Sequence, residues 1–326
     1  MRAILILILV AGCPAPKGST TGGGGGGGTI NPEACGKLDT NEAGRKVHSF
    51  LVASAELDRA SLEMESTMLD ACKRMAVELG SSPDGKTKEV CERVSKDLEA
   101  NLSVSVKTEK RLVTKYTPSV CHTDIALTAG FVAECEASAA SNADIRCHGT
   151  CAGACMGACD GECATGDNAT CSGACNGECK GKCTGQCEGY AEVTASAECK
   201  ASAEVRASVK TECTEPKVEV VSQDVTVVDD TKFKKAVAAI NVGLPRILMI
   251  GKRLELAGKA LAHWVDTGAS LANSATDLLA QLGTQAVCVT DQVATIYGAS
   301  AQVQARFEVS IEMSASVSAS AGATAQ

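Results

Sequence analysis

Fourteen of the 19 cysteines in this chain lie between Cys121 and Cys213, and their positions are symmetric. The inner ten are Cys147, Cys151, Cys155, Cys159 and Cys163, then a gap, then Cys171, Cys175, Cys179, Cys183 and Cys187, set in a C-x-G-x repeat. Paired outward from the gap, their residue numbers always add to 334. Two blocks of equal period align somewhere by construction, so these five pairs count as one coincidence. The outer cysteines are the independent test. Cys135 with Cys199 and Cys121 with Cys213 keep the same sum, as do Pro118 and Pro216.

A constant sum is the rule for opposed residues of an antiparallel pair. All fourteen cysteines are odd-numbered, so strands would project them from one face. The flanks alternate too. Val193, Ala195, Ala197, Cys199, Ala201, Ala203, Val205, Ala207 and Val209 interleave with Thr, Ser, Glu, Lys and Arg, and Ala133 to Ile145 behave alike. In this register Asp124 faces Lys210, Glu134 faces Lys200, Arg146 faces Glu188 and His122 faces Glu212, against one like-charged pair, Glu136 with Glu198. Glycines oppose glycines: Gly149 with Gly185, Gly153 with Gly181, Gly157 with Gly177 and Gly161 with Gly173. The sequence predicts one long hairpin over 121–213, turning at 164–170 and carrying seven cross-strand disulfides. Its contour from Cys121 to Cys163 approaches about 140 Å at about 3.3 Å per residue. A two-stranded ribbon has little core, so covalent staples must supply its order. A metallothionein-like thiolate cluster is the rival reading. The spacing is C-x3-C, however, not the C-x2-C common in zinc sites, and the outer pairs have no role in a cluster.

The remainder of the chain reads as a helical base. Asp39 with Glu42 resembles a capping box, and Phe50, Leu51, Leu57, Leu62, Met68, Leu69, Met75 and Leu79 recur at helical spacing up to Gly80. A second helix is expected over about 84–100. Cys72 and Cys91 then staple a helical hairpin. Further helices are expected over 231–240, broken by Gly243 and Pro245, then along Ile250, Leu254, Leu261 and Trp264, and along Leu271 to Ile296. Cys35 and Cys288 remain and pair. Alternation from Val303 to Val317 predicts a C-terminal strand. With Leu102 to Val106 and Val218 to Val228 it would form a small sheet at the ribbon root. The fold class is α+β. Its divisions are 35–100 (helical hairpin), 101–120 (strand), 121–213 (ribbon), 214–230 (strand), 231–300 (helices) and 301–326 (strand).

The first residues set the compartment. Arg2, the apolar run Ala3 to Val10 and small residues before Cys13 have the shape of a signal peptide. Val10-Ala11-Gly12-Cys13 resembles the lipobox of bacterial lipoproteins. That resemblance implies cleavage after residue 12, diacylglycerol on Cys13 and, because Pro14 rather than Asp follows, an outer-membrane location. Residues 13–34 then form a tether containing seven consecutive glycines, Gly22 to Gly28. Sixteen flexible residues reach about 20–25 Å.

Several chemistries fail on context. Gly80 to Thr87 matches G-x4-G-K-[ST], but helical spacing precedes it where a phosphate loop needs a strand. His48, His122, His148 and His263 form no recognised ligand spacing, and no catalytic group or cofactor is expected. Net charge is −8, of which the 121–213 segment carries −7 (13 acidic, 6 basic), opposing nucleic-acid binding. The expected role is non-enzymatic: a lipid-anchored structural or interaction protein whose partner is another envelope protein or a second copy. An oligomeric pore or envelope-channel subunit and a cysteine-rich metal binder are the alternatives.

Overall fold

The structure, a computed structural model, describes residues 30–105, 113–221, 227–273 and 280–325. Cys13 and its lipobox lie outside the described residues.

Helix α1 (Glu42–Leu79) buries Val47, Phe50, Leu51, Leu57, Met64, Met68 and Met75 along one stripe. Its cap is Asn41, whose side chain accepts from the Gly44 amide at 2.7 Å. The Asp39–Glu42 capping box is therefore corrected: Glu42 bonds Lys46 one turn on, at 2.6 Å. Gly80 closes the helix in the left-handed region, φ 82°. Helix α2 (Thr87–Ser105) runs antiparallel to it, stapled by Cys72–Cys91. Residues 80–86, the phosphate-loop look-alike, form the turn between them, and the Arg93 guanidinium bonds the Ser82 and Asp84 carbonyls there.

Helix α5 (Asp230–Asn273) runs unbroken through Gly243 and Pro245, where the sequence predicts a break. Gly243 is a packing residue: a Cβ there would lie 2.2 Å from Met75 Cγ of α1. Burial of Leu244, Ile247 and Ile250 offsets the proline's cost of about 3 kcal/mol. Helix α6 (Ala286–Ser320) replaces the expected C-terminal strand. The alternating run also contained a helical stripe, Val303, Phe307, Ser310, Met313 and Val317, and these are the residues buried. Ile311, on the supposed inner face, is 48% exposed. Residues 274–279, part of the expected last stripe, lie outside the described residues.

A three-stranded sheet does sit at the root, with one expected segment, from Val218, in place and the other two strands on other residues; Val106 and residues 222–226 lie outside the described residues. β1 (Val113–Tyr116) lies between antiparallel β8 (Val218–Val221) and parallel β9 (Ala323–Ala325). Leu102 is in α2 instead.

The ribbon's flanks are helices, not strands. α3 (Ile125–Glu136) and α4 (Ala197–Val209) carry Cys135 and Cys199. Alanine is the strongest helix former. α4 buries odd and even positions alike, from Cys199 through Ser202, Glu204 and Val205 to Ser208. Small residues let it fit among α1, α3, α5 and the strand structure that lies between α3 and α4. α4 thereby joins the base core of Phe50, Met68, Ile240, Leu244 and Trp264. The Trp264 indole stacks on Phe50 and donates to Ser54 Oγ at 2.8 Å.

Candidate functional site: a sulfur-cored coil and its polar junction

Between α3 and α4 the chain forms two arms. One is β3 (Asp144–Cys151) and β4 (Ala154–Cys163), the other β5 (Cys175–Thr184) and β6 (Gln186–Thr194). Along one edge, partners add to 338, from Asp144 with Thr194 to Cys163 with Cys175. Along the other edge they add to 328, as in Arg146 with Lys182, Thr150 with Glu178 and Gly157 with Cys171. Each arm thus bonds the other twice, ten residues apart (338 less 328). The ribbon winds on itself, and successive windings share ladder hydrogen bonds. β2 (Cys121–Asp124) and β7 (Glu212–Cys213) continue the sheet beyond β6.

The extended hairpin with opposed cysteines is therefore corrected. Gly149 faces Gly189, Gly157 faces Gly181 and Gly161 faces Gly177. Arg146 faces Glu192, not Glu188, and Asp124 caps α3 instead of facing Lys210. Glu134, expected opposite Lys200, bonds Arg206 at 2.9 Å. A four-residue repeat looks the same after a shift of four, so neither cysteine nor glycine could choose the register. The disulfides do keep the sum of 334, which lies between the two edge registers. The five in the coil join residues across the interior rather than ladder neighbours; Cys135–Cys199 joins two helices, and Cys121 and Cys213 are directly opposed as the sequence predicts, with His122 facing Glu212.

The structure brings together Cys163–Cys171, Cys159–Cys175, Cys155–Cys179, Cys151–Cys183 and Cys147–Cys187 in the coil. Cys135–Cys199 joins α3 to α4, Cys121–Cys213 joins β2 to β7, and Cys72–Cys91 and Cys35–Cys288 lie in the base. All 18 described cysteines are thus in disulfides. In the coil the sulfurs occupy the interior, and the glycines, part-buried or exposed, sit where strand backbones approach each other. Glycine is obligatory at the contacts: a Cβ at Gly153 would lie 1.3 Å from the Thr184 carbonyl oxygen. Gly185, between β5 and β6, has φ 112°. The coil's lower end packs on Ile125, Phe131 and Val132 of α3 and Ala203 of α4.

Where coil meets base, an open cleft of about 360 Å³ is lined by His148, Tyr190, Glu192, Lys259 and His263. His148 Nε2 lies 2.7 Å from Glu192. That bond, ahead of the pull of Lys200, holds the Glu192 carboxyl below its ordinary value. Glu204 is fully buried behind the cleft. It accepts from the Val193 amide at 3.0 Å and pairs with His263 Nδ1 at 2.6 Å. Burial, then the charge of Glu204, pushes the Tyr190 phenol well above its usual range. Lys259 Nζ lies 5.3 Å from the Tyr190 ring centre. This cluster escaped sequence reasoning. Glu204 sat at an even, supposedly outward position among alanines, and no spacing linked it to His263.

Among the described residues, no three His, Cys, Asp or Glu side chains are grouped to hold a metal ion, and no helix is long and apolar enough to cross a membrane. No family model matches the chain, and no curated protein or solved structure is detectably similar to it.

Proposed function

We propose that this chain is a lipid-anchored bacterial envelope protein with a structural or protein-interaction role, in which the helical base presents the coil as a rigid contact module. The observation that carries this reading is the closed, sulfur-cored coil. Nine disulfides fit an oxidising compartment outside the cytosol, as the lipobox at Cys13 implies. Strands bonded along both edges leave the outward side chains and the exposed loop at 164–170 as contact surface. Paired sulfurs disfavour the metal-binding alternative. The inner strands β5, β3, β6 and β2, each already between two neighbours, disfavour a pore built by pooling hairpins from several copies.

The test removes the outer windings. Cys151 and Cys187 face each other in the ladder. Residues 152–186 can therefore be replaced by a two-residue glycine turn, with Cys151→Ser because its partner Cys183 is lost. The expected result is a base that still melts cooperatively and stays membrane-anchored, with cross-linked adducts on whole cells lost. Adducts that persist unchanged would remove the coil from the function. A companion Cys13→Ser variant should no longer be processed or membrane-bound; if it matures and remains in the membrane, the anchor is misassigned.

A further inference from the structure

The rungs of the coil differ in their exposure to solvent. Nine of its ten cysteines are buried, none more than 5% exposed; the exception is Cys163 in the last rung, which is half-buried. Every residue from 164 to 170 beyond it is exposed. Cys213 and Cys288 are also half-buried, but each sits in a regular element, β7 paired to β2 and helix α6. Attack on a disulfide needs a thiolate in line with the sulfur–sulfur bond, so access selects the sulfur. At Cys163 it is combined with a loop, 164–170, that is exposed at every residue.

Charge adds a second selection. Glu162 and Asp167 are exposed beside this rung, while the nearby Asp160 is neutralised by Lys180 at 3.0 Å. Asp167 accepts from the Ala169 and Thr170 amides and from the Thr170 hydroxyl, which holds its carboxyl below the usual range. An approaching anion meets a negative field there.

We propose that Cys163–Cys171 is a thiol-exchange site that accepts neutral or cationic thiols, while the rungs beneath it stay closed. An incoming thiolate attacks Cys163 Sγ, a new sulfur–sulfur bond forms, and the bond to Cys171 breaks. The electron pair leaves on Cys171 Sγ, which takes up a proton. With a dithiol reductant, its second thiolate attacks the mixed disulfide and frees Cys163, which is protonated in turn. The dithiol is oxidised to a disulfide and the rung is reduced by two electrons and two protons. Cys159–Cys175, the next rung, holds the windings together. The loop at 164–170 is thereby released without unwinding the coil. This inference is independent of the anchor and of any partner.

The intact protein is treated briefly with cysteamine, 2-mercaptoethanol or glutathione at matched thiolate concentrations, then alkylated and peptide-mapped. Cys171 should label first, on the order of tenfold faster than any other pair, with Cys163 carrying the reagent as a mixed disulfide until a second thiolate frees it. Rates relative to a small linear disulfide should fall from cysteamine through 2-mercaptoethanol to glutathione, and the spread should collapse in about 1 M salt. Glu162→Gln should speed glutathione selectively. In a Cys163→Ser, Cys171→Ser double variant, Cys159–Cys175 should remain protected. First labelling at Cys35–Cys288 or Cys121–Cys213, or simultaneous loss of all rungs, overturns the proposal. So does a double variant whose next rung reacts as fast as the first. Rates indifferent to thiol charge overturn the selectivity.

Discussion

The helical base and the coil become ordered by opposite routes. The base buries Phe50, Leu57, Met68, Ile240, Leu244 and Trp264 completely, so its order comes from apolar surface removed from water. The coil's outer windings enclose cysteine sulfurs, with no large side chain inside. Its order comes from cross-links that restrict the unfolded chain and from a ladder that closes on itself. A repeat too poor in apolar groups to form a core can still specify one structure, provided each winding is covalently tied through its interior.

Reduction separates the two regions most sharply. Complete reduction and alkylation should abolish amide-exchange protection over 144–194 while α1 and α5 keep theirs. The base loses Cys72–Cys91 and Cys35–Cys288 in the same experiment, at sequence separations of 19 and 253 and worth about 3 and about 5 kcal/mol. It should therefore melt lower, yet still melt cooperatively. Joint collapse of helices and strands would show that the coil is part of the base's folding unit.

Backbone contact comes next. Gly153→Ala places a methyl against the Thr184 carbonyl and should block closure of the windings. Non-reducing peptide maps of that variant should show scrambled coil disulfides with Cys72–Cys91 and Cys35–Cys288 intact. A correct map would mean that the windings can separate without losing their pairing.

Side-chain deletions should divide the same way. Trp264→Ala opens a cavity in the base and removes the indole donor to Ser54 Oγ, which keeps its own bond to the Phe50 carbonyl, for a loss of about 3–5 kcal/mol in chemical denaturation. Replacing Cys155 and Cys179 by alanine should lose less. Cys151–Cys183 and Cys159–Cys175 flank that rung and already close most of its loop. Equal losses would mean that the rungs act independently. Gly258→Ala in α5, with nothing within 4 Å of the new methyl, should raise stability by about 1 kcal/mol. It sets the opposite sign to Gly153→Ala.

Much of this division was legible in the sequence. Cysteine partners follow a constant sum because seven nested cross-links need a symmetric spacing. The strand register did not follow, because a period of four is unchanged by a shift of four. The winding itself needs two ladder edges, and no single pairing rule reports both. Alanine alternating with polar residues satisfies period two while alanine itself favours helix, so periodicity alone predicts strands where α3, α4 and the end of α6 form. Burial on all sides, which let α4 remain helical, is a tertiary fact. Gly243 was read as a breaker for want of the neighbouring Met75. The junction has the same cause: β6 and α4 follow each other, but His263 of α5 lies 59 residues beyond Glu204, and only folding brings it to Tyr190 and Glu204.

The smallest expected effect tests whether coil and base are coupled through that junction. Tyr190 belongs to β6, and its hydroxyl lies 3.5 Å from His263 of α5. Its phenol is held above the ordinary value by burial first, then by the charge and hydrogen bond of Glu204, and by Glu192. The raised value means the folded state keeps the proton while the unfolded chain releases it at about pH 10. The stabilisation is complete below that pH and declines as pH rises beyond it. The urea midpoint of the wild type should fall more steeply above about pH 10 than that of Tyr190→Phe, which has no proton to lose. Exchange on β6 and on Lys259 to His263 should rise together in the wild type as the phenolate forms. If β6 opens while α5 stays protected, the two regions are joined only by the chain and Cys135–Cys199. If both variants show the same slope, Tyr190 is not the group that sets the alkaline limit.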